Sequence, residues 1–563
     1  MPAILGVNCF SHDTSACLLV DGRVAAIGEE ERFNRDQHTK SFPDAAIEFC
    51  LRTAGLEVND LTAVAFAQHP LIDLGRGVAD AISRVAPKRL AAQTYTDLRL
   101  IGKERYFRRR WGYRGRLVHV GHHEAHAASA FFASPYDQAA VLTLDRGGDY
   151  LSTTFSIGQG NRLHNIWSVR NPHSLGEVYT AVTWYLGFRP NADEGKVMGL
   201  APYGSDRLVD DFRDVIRLRP DGRFAVNFRW FGYQRDRAAV SRRFRSRYGS
   251  PRVPESELTA RDKDLAYAVQ QVTEECALHV ATALRRRSST ANLCLAGGVA
   301  LNSVLNYRLL TETGFEDAFI QPAASDAGNA LGAALWVHHQ VLGLPRGWVM
   351  EHPFWGPEHT GADVAAALDR AGLRYRPVSD PPAAAARLVA AGNVVGWFQG
   401  RAEIGPRALG ARSILADPRR AEMRDVVNDR VKRREWFRPF APSILHERGP
   451  DYFDGYRPNH FMLLVEPIRA DRREEIPAVT HVDGTGRLQS VTAEFSPGYH
   501  RLISEFDRIT GVPVVLNTSF NVRGEPIVSR PDEAVADFLG SEMDALVIGP
   551  YAVEKPTVRT ETR

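Results

Sequence analysis

The sequence has little cysteine and no long apolar run. Its five cysteines are spread over 563 residues, and none forms a Cys-x-x-Cys pair. This distribution argues against a disulfide framework and against a thiolate zinc site, and it fits a reducing compartment. The first residues lack the regions of a signal peptide, and no segment approaches the roughly 20 apolar residues of a transmembrane helix. We therefore expect a cytoplasmic protein that does not associate with a membrane.

An excess of one charge is also absent. The 70 lysine and arginine residues are nearly balanced by 67 aspartate and glutamate residues, and the formal net charge is only +3. Proteins that grip long nucleic acids usually have a clearer basic excess, so we expect no nucleic-acid partner. Lysine itself is scarce, with seven in the chain. A lysine inside a glycine-rich or arginine-rich motif is therefore a signal.

Two segments share one pattern of predicted elements. Strands at residues 4–8 and 15–20 flank a polar loop, and strands at 140–144 and 150–157 flank another. In each segment a turn and a further short strand follow. Repetition of one such unit predicts two related halves.

A glycine-rich turn follows these repeats. A short strand at 291–295 leads into Gly297-Gly298, and a helix is predicted at 300–310. Backbone amides at such a turn suit contact with phosphate or ribose. Two hairpin loops followed by a Gly-Gly turn are the nucleotide-binding arrangement of actin, the sugar kinases and the chaperone ATPases. We therefore predict a domain of this class over residues 1–345.

The remainder of the chain predicts a second α/β domain, over residues 355–563. The stretch 343–356 is rich in glycine, proline and tryptophan and is typical of a linker. Beyond it we predict helices at 381–389 and 532–539 and buried strands at 394–398 and 512–516. The arginine-rich stretch 206–254 has no clear periodicity. We interpret it as an irregular, solvated insertion, with a partner surface as the alternative.

A histidine cluster is the strongest candidate for a metal site. His122 and His126 are four residues apart, so on a helix both imidazoles face the same way. Asp145, at the head of the second hairpin loop, and Asp326, in the segment 324–329, are candidate further ligands. Two imidazoles with carboxylates suit iron, manganese or zinc. The alternative is a histidine-rich helix packed on a core.

Two further residues of this domain are candidates for catalysis or phosphate contact. His12 lies in the first loop, and an imidazole with a pKa near neutrality is suited to take a proton from an attacking alcohol. The alternative is a histidine that only stabilises the turn. Lys196 lies between two glycines and is suited to neutralise a phosphate or carbamoyl oxygen. The alternative is a surface lysine.

The second domain contains a predicted anion site. Arg407 lies in a glycine-containing turn, and Lys432 and Arg438 follow it. Asn517 and Ser519 stand at the end of a predicted strand. Guanidinium groups bind phosphate bidentately, and amide and hydroxyl groups complete such a shell. The alternative is salt bridging to surface acids.

Many motifs in order identify the family. The sequence resembles the nodulation and antibiotic O-carbamoyltransferases, and the resemblance extends from Gly6 to about Glu554. It rests on residues 12–16, 29–33, 122–127, 195–200, 297–302, 405–413, 438–445, 481–485 and 516–521. It implies an α/β fold, with a duplicated actin/sugar-kinase-like domain similar to the universal tRNA threonylcarbamoyl-transferase and then a YrdC-like domain. One departure is Arg146, because relatives more often have a small residue there.

The resemblance also implies roles for the candidate residues. The implied metal ligands are His122, His126, Asp145 and Asp326, and His12 is the implied transfer base. The implied nucleotide contacts are Lys196, Gly297, Gly298 and Asn302. The implied carbamoyl phosphate site consists of Arg407, Lys432, Arg438, Asn517 and Ser519. Fe²⁺ is the preferred metal, with Mn²⁺ and Zn²⁺ as alternatives, and Mg²⁺ accompanies ATP.

The function implied is ATP-dependent O-carbamoyl transfer. Carbamoyl-adenylate is made from carbamoyl phosphate and ATP, passes inside the protein to the first domain, and gives its carbamoyl group to a hydroxyl of a small natural product, an antibiotic or a sugar. One alternative is an enzyme that makes threonylcarbamoyl-adenosine in tRNA. Another is a non-catalytic, actin-like nucleotide switch. The sequence leaves the acceptor and the oligomeric state open, including a homodimer.

Overall fold

The chain folds as two compact units. The computed structural model describes residues 2–69, 87–233 and 239–555. Unit 1 comprises Met1–Glu31 and His38–Met350, and unit 2 comprises Arg32–Gln37 and Glu351–Arg563. The chain therefore leaves unit 1 after Glu31, contributes a short segment to unit 2, and returns at His38. The later boundary lies within the stretch interpreted as a linker.

Unit 1 contains two five-stranded sheets of the same design. Their strand orders are β3-β2-β1-β4-β5 and β12-β11-β6-β7-β8. In each sheet the first three strands in sequence are antiparallel, and two later strands add in parallel. The strands of unit 1 are β1 (Ala3–Asn8), β2 (Ser15–Val20), β3 (Arg23–Glu29), β4 (Ala63–Ala67), β5 (Arg116–Val120), β6 (Gln138–Gly148), β7 (Leu151–Gln159), β8 (Arg162–Arg170), β9 (Ile216–Leu218), β10 (Phe224–Val226), β11 (Asn292–Ala296) and β12 (Asp317–Ile320). The predicted duplication and the actin/sugar-kinase-like fold class are confirmed.

Helices cover these sheets. They are α1 (Glu31–Asn34), which crosses into unit 2, α2 (Asp44–Ala54), α3 (Pro87–Trp111), α4 (His122–Phe131), α5 (Leu175–Tyr185), α6 (Glu194–Leu200), α7 (Val209–Arg213), α8 (Arg242–Tyr248), α9 (Ala260–Arg285), α10 (Ser303–Glu312) and α11 (Asn329–Trp336). Helix α11 packs closely against both β1 and α4. A Cβ atom on Gly6 would lie 1.8 Å from the Ala330 carbonyl oxygen, and one on Gly332 would lie 1.8 Å from that of Ala125. These glycines let α11 bring Asp326, just before it, close to α4.

The helix predicted at 300–310 begins later than expected. A 3₁₀ turn at Gly298–Leu301 precedes it, and α10 begins at Ser303. Asn302 ends the turn and caps α10, because its side-chain oxygen accepts the Leu305 N–H at 3.1 Å.

The stretch 206–254 is less irregular than predicted. It contains α7, the β9–β10 hairpin and α8, and residues 234–238 lie outside the described part. Phe212, Phe244 and Tyr248 are buried, and the rings of Phe244 and Tyr248 are 4.6 Å apart. Aromatic residues at helical spacing form a small core here, with the arginines of α8 outside it.

Unit 2 is an α/β domain around a mixed eight-stranded sheet, in line with the predicted class. The sheet order is β13-β22-β21-β14-β15-β20-β16-β19, and β17 pairs with β18. The strands are β13 (Arg376–Pro377), β14 (Val395–Phe398), β15 (Arg412–Ala416), β16 (Ala441–Leu445), β17 (Val465–Pro467), β18 (Thr485–Arg487), β19 (Gln489–Val491), β20 (Val514–Ser519), β21 (Ala545–Ile548) and β22 (Tyr551–Glu554). The helices are α12 (Gly361–Arg370), α13 (Pro381–Ala390), α14 (Met423–Val426), α15 (Gly449–Tyr452), α16 (Pro497–Thr510) and α17 (Pro531–Gly540).

The strand predicted at 512–516 extends further than expected. Strand β20 runs on through Asn517 and Ser519, because its backbone pairs with β15 on one side and β16 on the other. Two neighbours hold this polar end in extended form. Within the described residues, every helix is too short or too polar to cross a membrane.

Candidate functional site

Helix α4 brings two imidazoles together. It begins at His122, whose backbone N–H donates to Asp149 Oδ2 at 2.5 Å. His126 is one turn further along, and both side chains are buried. Their Nε2 atoms are 3.2 Å apart. The predicted helical spacing of the pair is therefore realised, with both Nε2 atoms directed to one point.

Two carboxylates meet these imidazoles. His122 Nε2 lies 3.3 Å from Asp145 Oδ2 and 3.5 Å from Asp326 Oδ1. Asp145 lies near the end of β6. His126 Nε2 lies 3.2 Å from Asp326 Oδ1. All four side chains are buried, and one ligand atom from each lies within 4.8 Å of every other.

The Gly297-Gly298 turn holds Asp145 in place. The N–H of Gly298 donates to Asp145 Oδ1 at 2.9 Å, and the N–H of Gly147 donates to Oδ2 at 2.9 Å. Gly297 has φ +94°, and a Cβ there would lie 2.2 Å from the Leu144 carbonyl oxygen. Only glycine fits that position. The nucleotide contacts predicted for these glycines stay predictions, because the Gly298 amide is engaged by Asp145.

The donor set fits a divalent transition metal. Ligands at about 2.0–2.1 Å from a tetrahedral ion stand about 3.3 Å apart. Four of the six separations between the ligand atoms are 3.2, 3.2, 3.3 and 3.5 Å, and all six lie within 4.8 Å. Within the described residues, the Nδ1 atoms of both histidines are buried without a hydrogen-bond partner. Two imidazoles and two carboxylates suit iron, manganese or zinc.

His12 lies beside this quartet. Its Nε2 is 3.6 Å from Asp326 Oδ2, and its Nδ1 is 3.1 Å from Asp13 Oδ2. Burial by itself would lower the pKa of His12, but the charges of Asp326 and Asp13 raise it to about 9. Asp326 also acts within the quartet, where it and Asp145 raise the pKa of His122 to about 9 against the effect of burial. A cation held by Asp326 would offset that carboxylate and lower the pKa of His12 again.

The remaining predicted residues of unit 1 are engaged by the protein itself. Lys196 Nζ lies 3.2 Å from Asp193 Oδ2. Asn302 caps α10 and also exchanges two hydrogen bonds with the Gln270 amide, at 3.0 and 3.1 Å. Arg146 donates to Asn191 Oδ1 at 2.9 Å. The nucleotide contacts of Lys196 and Asn302 stay predictions.

Lys432 is the centre of the unit 2 site. Its Nζ is buried and donates to the carbonyl oxygens of Ser519 and Asn521 at 2.8 and 2.7 Å, and it lies 3.3 Å from Ser519 Oγ. These are neutral oxygens. Burial and the charges of Arg434 and Arg438 hold the pKa of Lys432 well below its usual range.

Four guanidinium groups share this region with Lys432. Burial and the charge of Arg438 lower the pKa of Arg407 to about 10. Burial and the charges of Arg407 and Arg438 lower the pKa of Arg487. Burial and the charges of Arg438 and Arg487 lower the pKa of Arg434. Arg438 lies 4.0 Å from Glu435, whereas Arg434 donates to the neutral Asn428 Oδ1 at 2.7 Å. Lys432 is buried and the four arginines are partly buried, and a group of like charges in such a setting favours an anionic ligand.

Asn517 and Ser519 play unequal parts. Asn517 is buried and its Nδ2 lies 3.1 Å from the Ala408 carbonyl oxygen and 3.0 Å from Gln489 Oε1, so it ties the Arg407 turn to β20. Ser519 Oγ donates to Asn521 Oδ1 at 2.7 Å, within the group around Lys432. Asn517 therefore contacts the Arg407 turn, whereas Ser519 contacts Lys432 itself.

Comparison with known proteins identifies the family. The family model "Carbamoyltransferase N-terminus" matches residues 3–335, and "Carbamoyltransferase C-terminus" matches residues 386–555. The chain belongs to the carbamoyltransferase family. This carbamoyltransferase is 40% identical to an uncharacterized protein of Synechocystis over 99% of this chain and 97% of the relative. It is 38% identical to nodulation protein NolNO of Sinorhizobium fredii over 98% of this chain and 80% of the relative.

Solved structures show weaker similarity. Full-length HypF in its phosphate- and nucleotide-bound form is 12% identical, with a TM-score of 0.33 over 61% of this carbamoyltransferase and 56% of that chain. The ROK hexokinase from Thermus thermophilus is 15% identical, with a TM-score of 0.28 over 59% and 97%.

Sequence reasoning missed several residues of both sites in this carbamoyltransferase. Asp149 anchors the start of α4, and the sequence signal was its place in the loop that Asp145 begins. Arg434 is two residues from Lys432, but Arg487 lies on the short strand β18, where no pattern marks it.

Proposed function

We propose that this carbamoyltransferase is an ATP-dependent O-carbamoyltransferase that uses carbamoyl phosphate and acts through carbamoyl-adenylate. One observation carries the proposal. Within a single chain of this family, unit 1 buries an imidazole–carboxylate quartet with His12 beside it, and unit 2 places several arginines around the buried Lys432. The first suits a metal-assisted transfer and the second suits phosphate chemistry.

The proposed first step takes place in unit 2. Carbamoyl phosphate binds to Lys432, Arg407 and Arg438, with Arg434 and Arg487 adding positive charge. Water cleaves it to carbamate and inorganic phosphate. A carbamate oxygen then attacks the α-phosphorus of ATP, an O–P bond forms, and pyrophosphate leaves. Charge-assisted hydrogen bonds contribute about 1.5–3 kcal/mol each, so a few of them hold a small dianion firmly.

The proposed second step takes place in unit 1. When bound, the divalent metal would neutralise negative charge on the adenylate and polarise the carbamoyl carbonyl. His12 accepts the proton of the acceptor hydroxyl at Nε2, because Nδ1 is engaged by Asp13. The acceptor oxygen bonds to the carbamoyl carbon, and AMP leaves with the electron pair of the broken C–O bond.

The proposed acceptor is a small hydroxylated natural product, an antibiotic or a sugar. A nucleic-acid acceptor is less favoured, because the net charge of +3 leaves little general basic excess. The quartet also argues against a purely structural nucleotide switch, which needs no buried set of metal ligands.

Incubation with carbamoyl phosphate, ATP, Fe²⁺ or Mn²⁺ and a panel of hydroxylated compounds tests the proposal. We expect a carbamoyl adduct by mass spectrometry, with pyrophosphate and AMP released in equal amounts. The matched reaction without ATP is the control. A carbamoyl adduct that forms equally well without ATP contradicts the adenylate route. Pyrophosphate release that depends on threonine, with tRNA as acceptor, favours the tRNA-modifying alternative instead.

A further inference from the structure

Asp13 lies between two histidines of unit 1. Its Oδ2 is 3.1 Å from His12 Nδ1, and its Oδ1 is 2.7 Å from His38 Nδ1. His12 Nε2 is then directed to Asp326, at 3.6 Å. The side chains therefore form one connected chain, from His38 through Asp13 and His12 to the quartet.

This arrangement determines which nitrogen of His12 carries the lone pair. A carboxylate accepts hydrogen bonds, so His12 Nδ1 is the donor and Nε2 is left to accept a proton. A base of this kind works only while its carboxylate partner holds the ring in that orientation. The orientation of His12 therefore depends on the position of the Asp13 carboxylate.

The loop around Asp13 does not fix that carboxylate by itself. Asp13 has φ +56°, in the left-handed region, and its backbone carbonyl oxygen accepts from Asn8 Nδ2 at 3.1 Å. This contact anchors the backbone but leaves the side-chain torsion free. The hydrogen bond from His38 supplies a second partner for the carboxylate.

His38 is itself held where the chain re-enters unit 1. Its backbone N–H donates to Glu31 Oε2 at 2.8 Å. Glu31 is the last residue before the segment Arg32–Gln37, which belongs to unit 2, and His38 is the first residue after it. The two ends of this excursion are thereby joined next to Asp13.

We propose that His38 is a positioning residue for the transfer step, because its Nδ1–H holds the Asp13 carboxylate that in turn orients His12. The inference rests on the proposed function, in which His12 is the base. It adds a residue that lies outside the quartet of candidate metal ligands.

Two substitutions separate this role from a general structural one. His38→Phe removes the donor, and His38→Asn keeps an N–H donor near the position of Nδ1. Losing a supporting residue of this kind typically lowers activity by about 10–100-fold. We expect His38→Phe to lower kcat for carbamoyl transfer by that factor. The KM for the acceptor and the carbamoyl phosphate-dependent ATP–pyrophosphate exchange should remain within about twofold of wild type. His38→Asn should recover most of kcat. His164→Phe, an exposed histidine of β8, is the matched control.

A double-mutant cycle tests the connection through His12. If His38 acts only by orienting that base, adding His38→Phe to His12→Ala lowers the residual transfer rate no further. A further loss of similar size in the double variant overturns the inference. Equal failure of His38→Phe and His38→Asn, or recovery of His38→Phe by extra Mn²⁺, also overturns it.

Crystal structures of the two variants keep the inference independent of the activity. We expect the contact between His12 Nδ1 and Asp13 Oδ2 to be lost in His38→Phe and kept in His38→Asn. An unchanged contact in His38→Phe overturns the positioning role. If wild-type protein forms no carbamoyl adduct with any acceptor, that result contradicts the proposed function. The crystal structures of the two variants then still show whether His38 positions Asp13 and His12.

Discussion

The two polar groups of this carbamoyltransferase differ in their charged side chains. In unit 1, Asp145 and Asp326 meet two imidazoles. In unit 2, Lys432 is surrounded by arginines and donates to neutral oxygens. In unit 1, protonation of His12 and His122 balances the two carboxylates when no cation is bound. In unit 2 no such balance is available, and the burial of like charges is unfavourable unless an anionic ligand compensates them. The difference indicates a cation for unit 1 and an anion for unit 2.

The backbone supports each charge in the matching way. In unit 1 the backbone amides of Gly147 and Gly298 donate to the Asp145 carboxylate. These two hydrogen bonds, and the one from His122, stabilise the ionised form of Asp145. Against the effect of burial, that hydrogen bond and the nearby histidines hold the pKa of Asp145 well below its usual range. In unit 2 the carbonyls of Ser519 and Asn521 accept from the Lys432 ammonium group. In each unit, backbone groups therefore stabilise the charged side chain without a bound ligand.

Removing one carboxylate should have the largest effect. Asp326→Asn deletes a charged ligand, and we expect divalent metal affinity to fall by more than about 100-fold, beyond the usual effect of an outer-shell change. Carbamoyl transfer should be lost while ATP–pyrophosphate exchange persists. Isothermal titration with Mn²⁺ measures the affinity, and the exposed Asp317→Asn is the control. Unchanged Mn²⁺ affinity in Asp326→Asn contradicts a cation site in unit 1.

Removing one guanidinium from unit 2 should have a smaller effect. Arg487→Ala deletes a charge-assisted contact of about 1.5–3 kcal/mol, which corresponds to about 10–150-fold weaker binding of carbamoyl phosphate. Initial rates of ATP–pyrophosphate exchange measure it. Arg469→Ala, exposed beside Asp471, is the matched control. If Arg487→Ala weakens Mn²⁺ binding and leaves carbamoyl phosphate binding unchanged, the assignment of the anion to unit 2 is wrong.

Ligands should stabilise the two units separately. A ligand at 100 times its Kd raises the free energy of unfolding by about 2.7 kcal/mol. We expect phosphate to slow hydrogen exchange along β20 and Mn²⁺ to slow it along α4. Mass spectrometry of peptic fragments localises both effects. If phosphate alone slows hydrogen exchange along α4, the two units are not stabilised separately and the prediction is wrong.

The pH dependence should be the smallest effect. In unit 1 the pKa values of His12 and His122 are raised to about 9. Protonation of these histidines therefore stabilises the folded, metal-free protein. This stabilisation is complete below the ordinary histidine pKa of about 6.5 and is lost as the pH rises through 9. We expect the thermal stability of metal-free protein to fall between pH 7 and 9, and His122→Gln to flatten that fall. In unit 2 the lowered pKa of Arg407, about 10, acts in the opposite direction and only at higher pH. Stability that rises from pH 7 to 9 contradicts this assignment.

The sequence predicted the grouping of the four unit 1 side chains better than that of the unit 2 cations. Helical spacing pointed to His122 and His126, and the repeated hairpin loop pointed to Asp145, because both depend on local pattern. The partners of Gly298 and Asn302 depend on tertiary packing, which spacing does not reveal. Arg434 and Arg487 stayed hidden among the many arginines of this chain, whereas the scarcity of lysine made Lys432 visible.

The division of the reaction between the units is tested most directly by two variants in two assays. Carbamoyl phosphate-dependent ATP–pyrophosphate exchange measures adenylate formation, and adduct formation from supplied carbamoyl-adenylate measures transfer. We expect His12→Ala to keep the exchange and to lose transfer by about 10²–10⁴-fold, the usual contribution of a general base. Arg438→Ala should lose the exchange and keep transfer. Failure of both variants in the same assay would contradict the account.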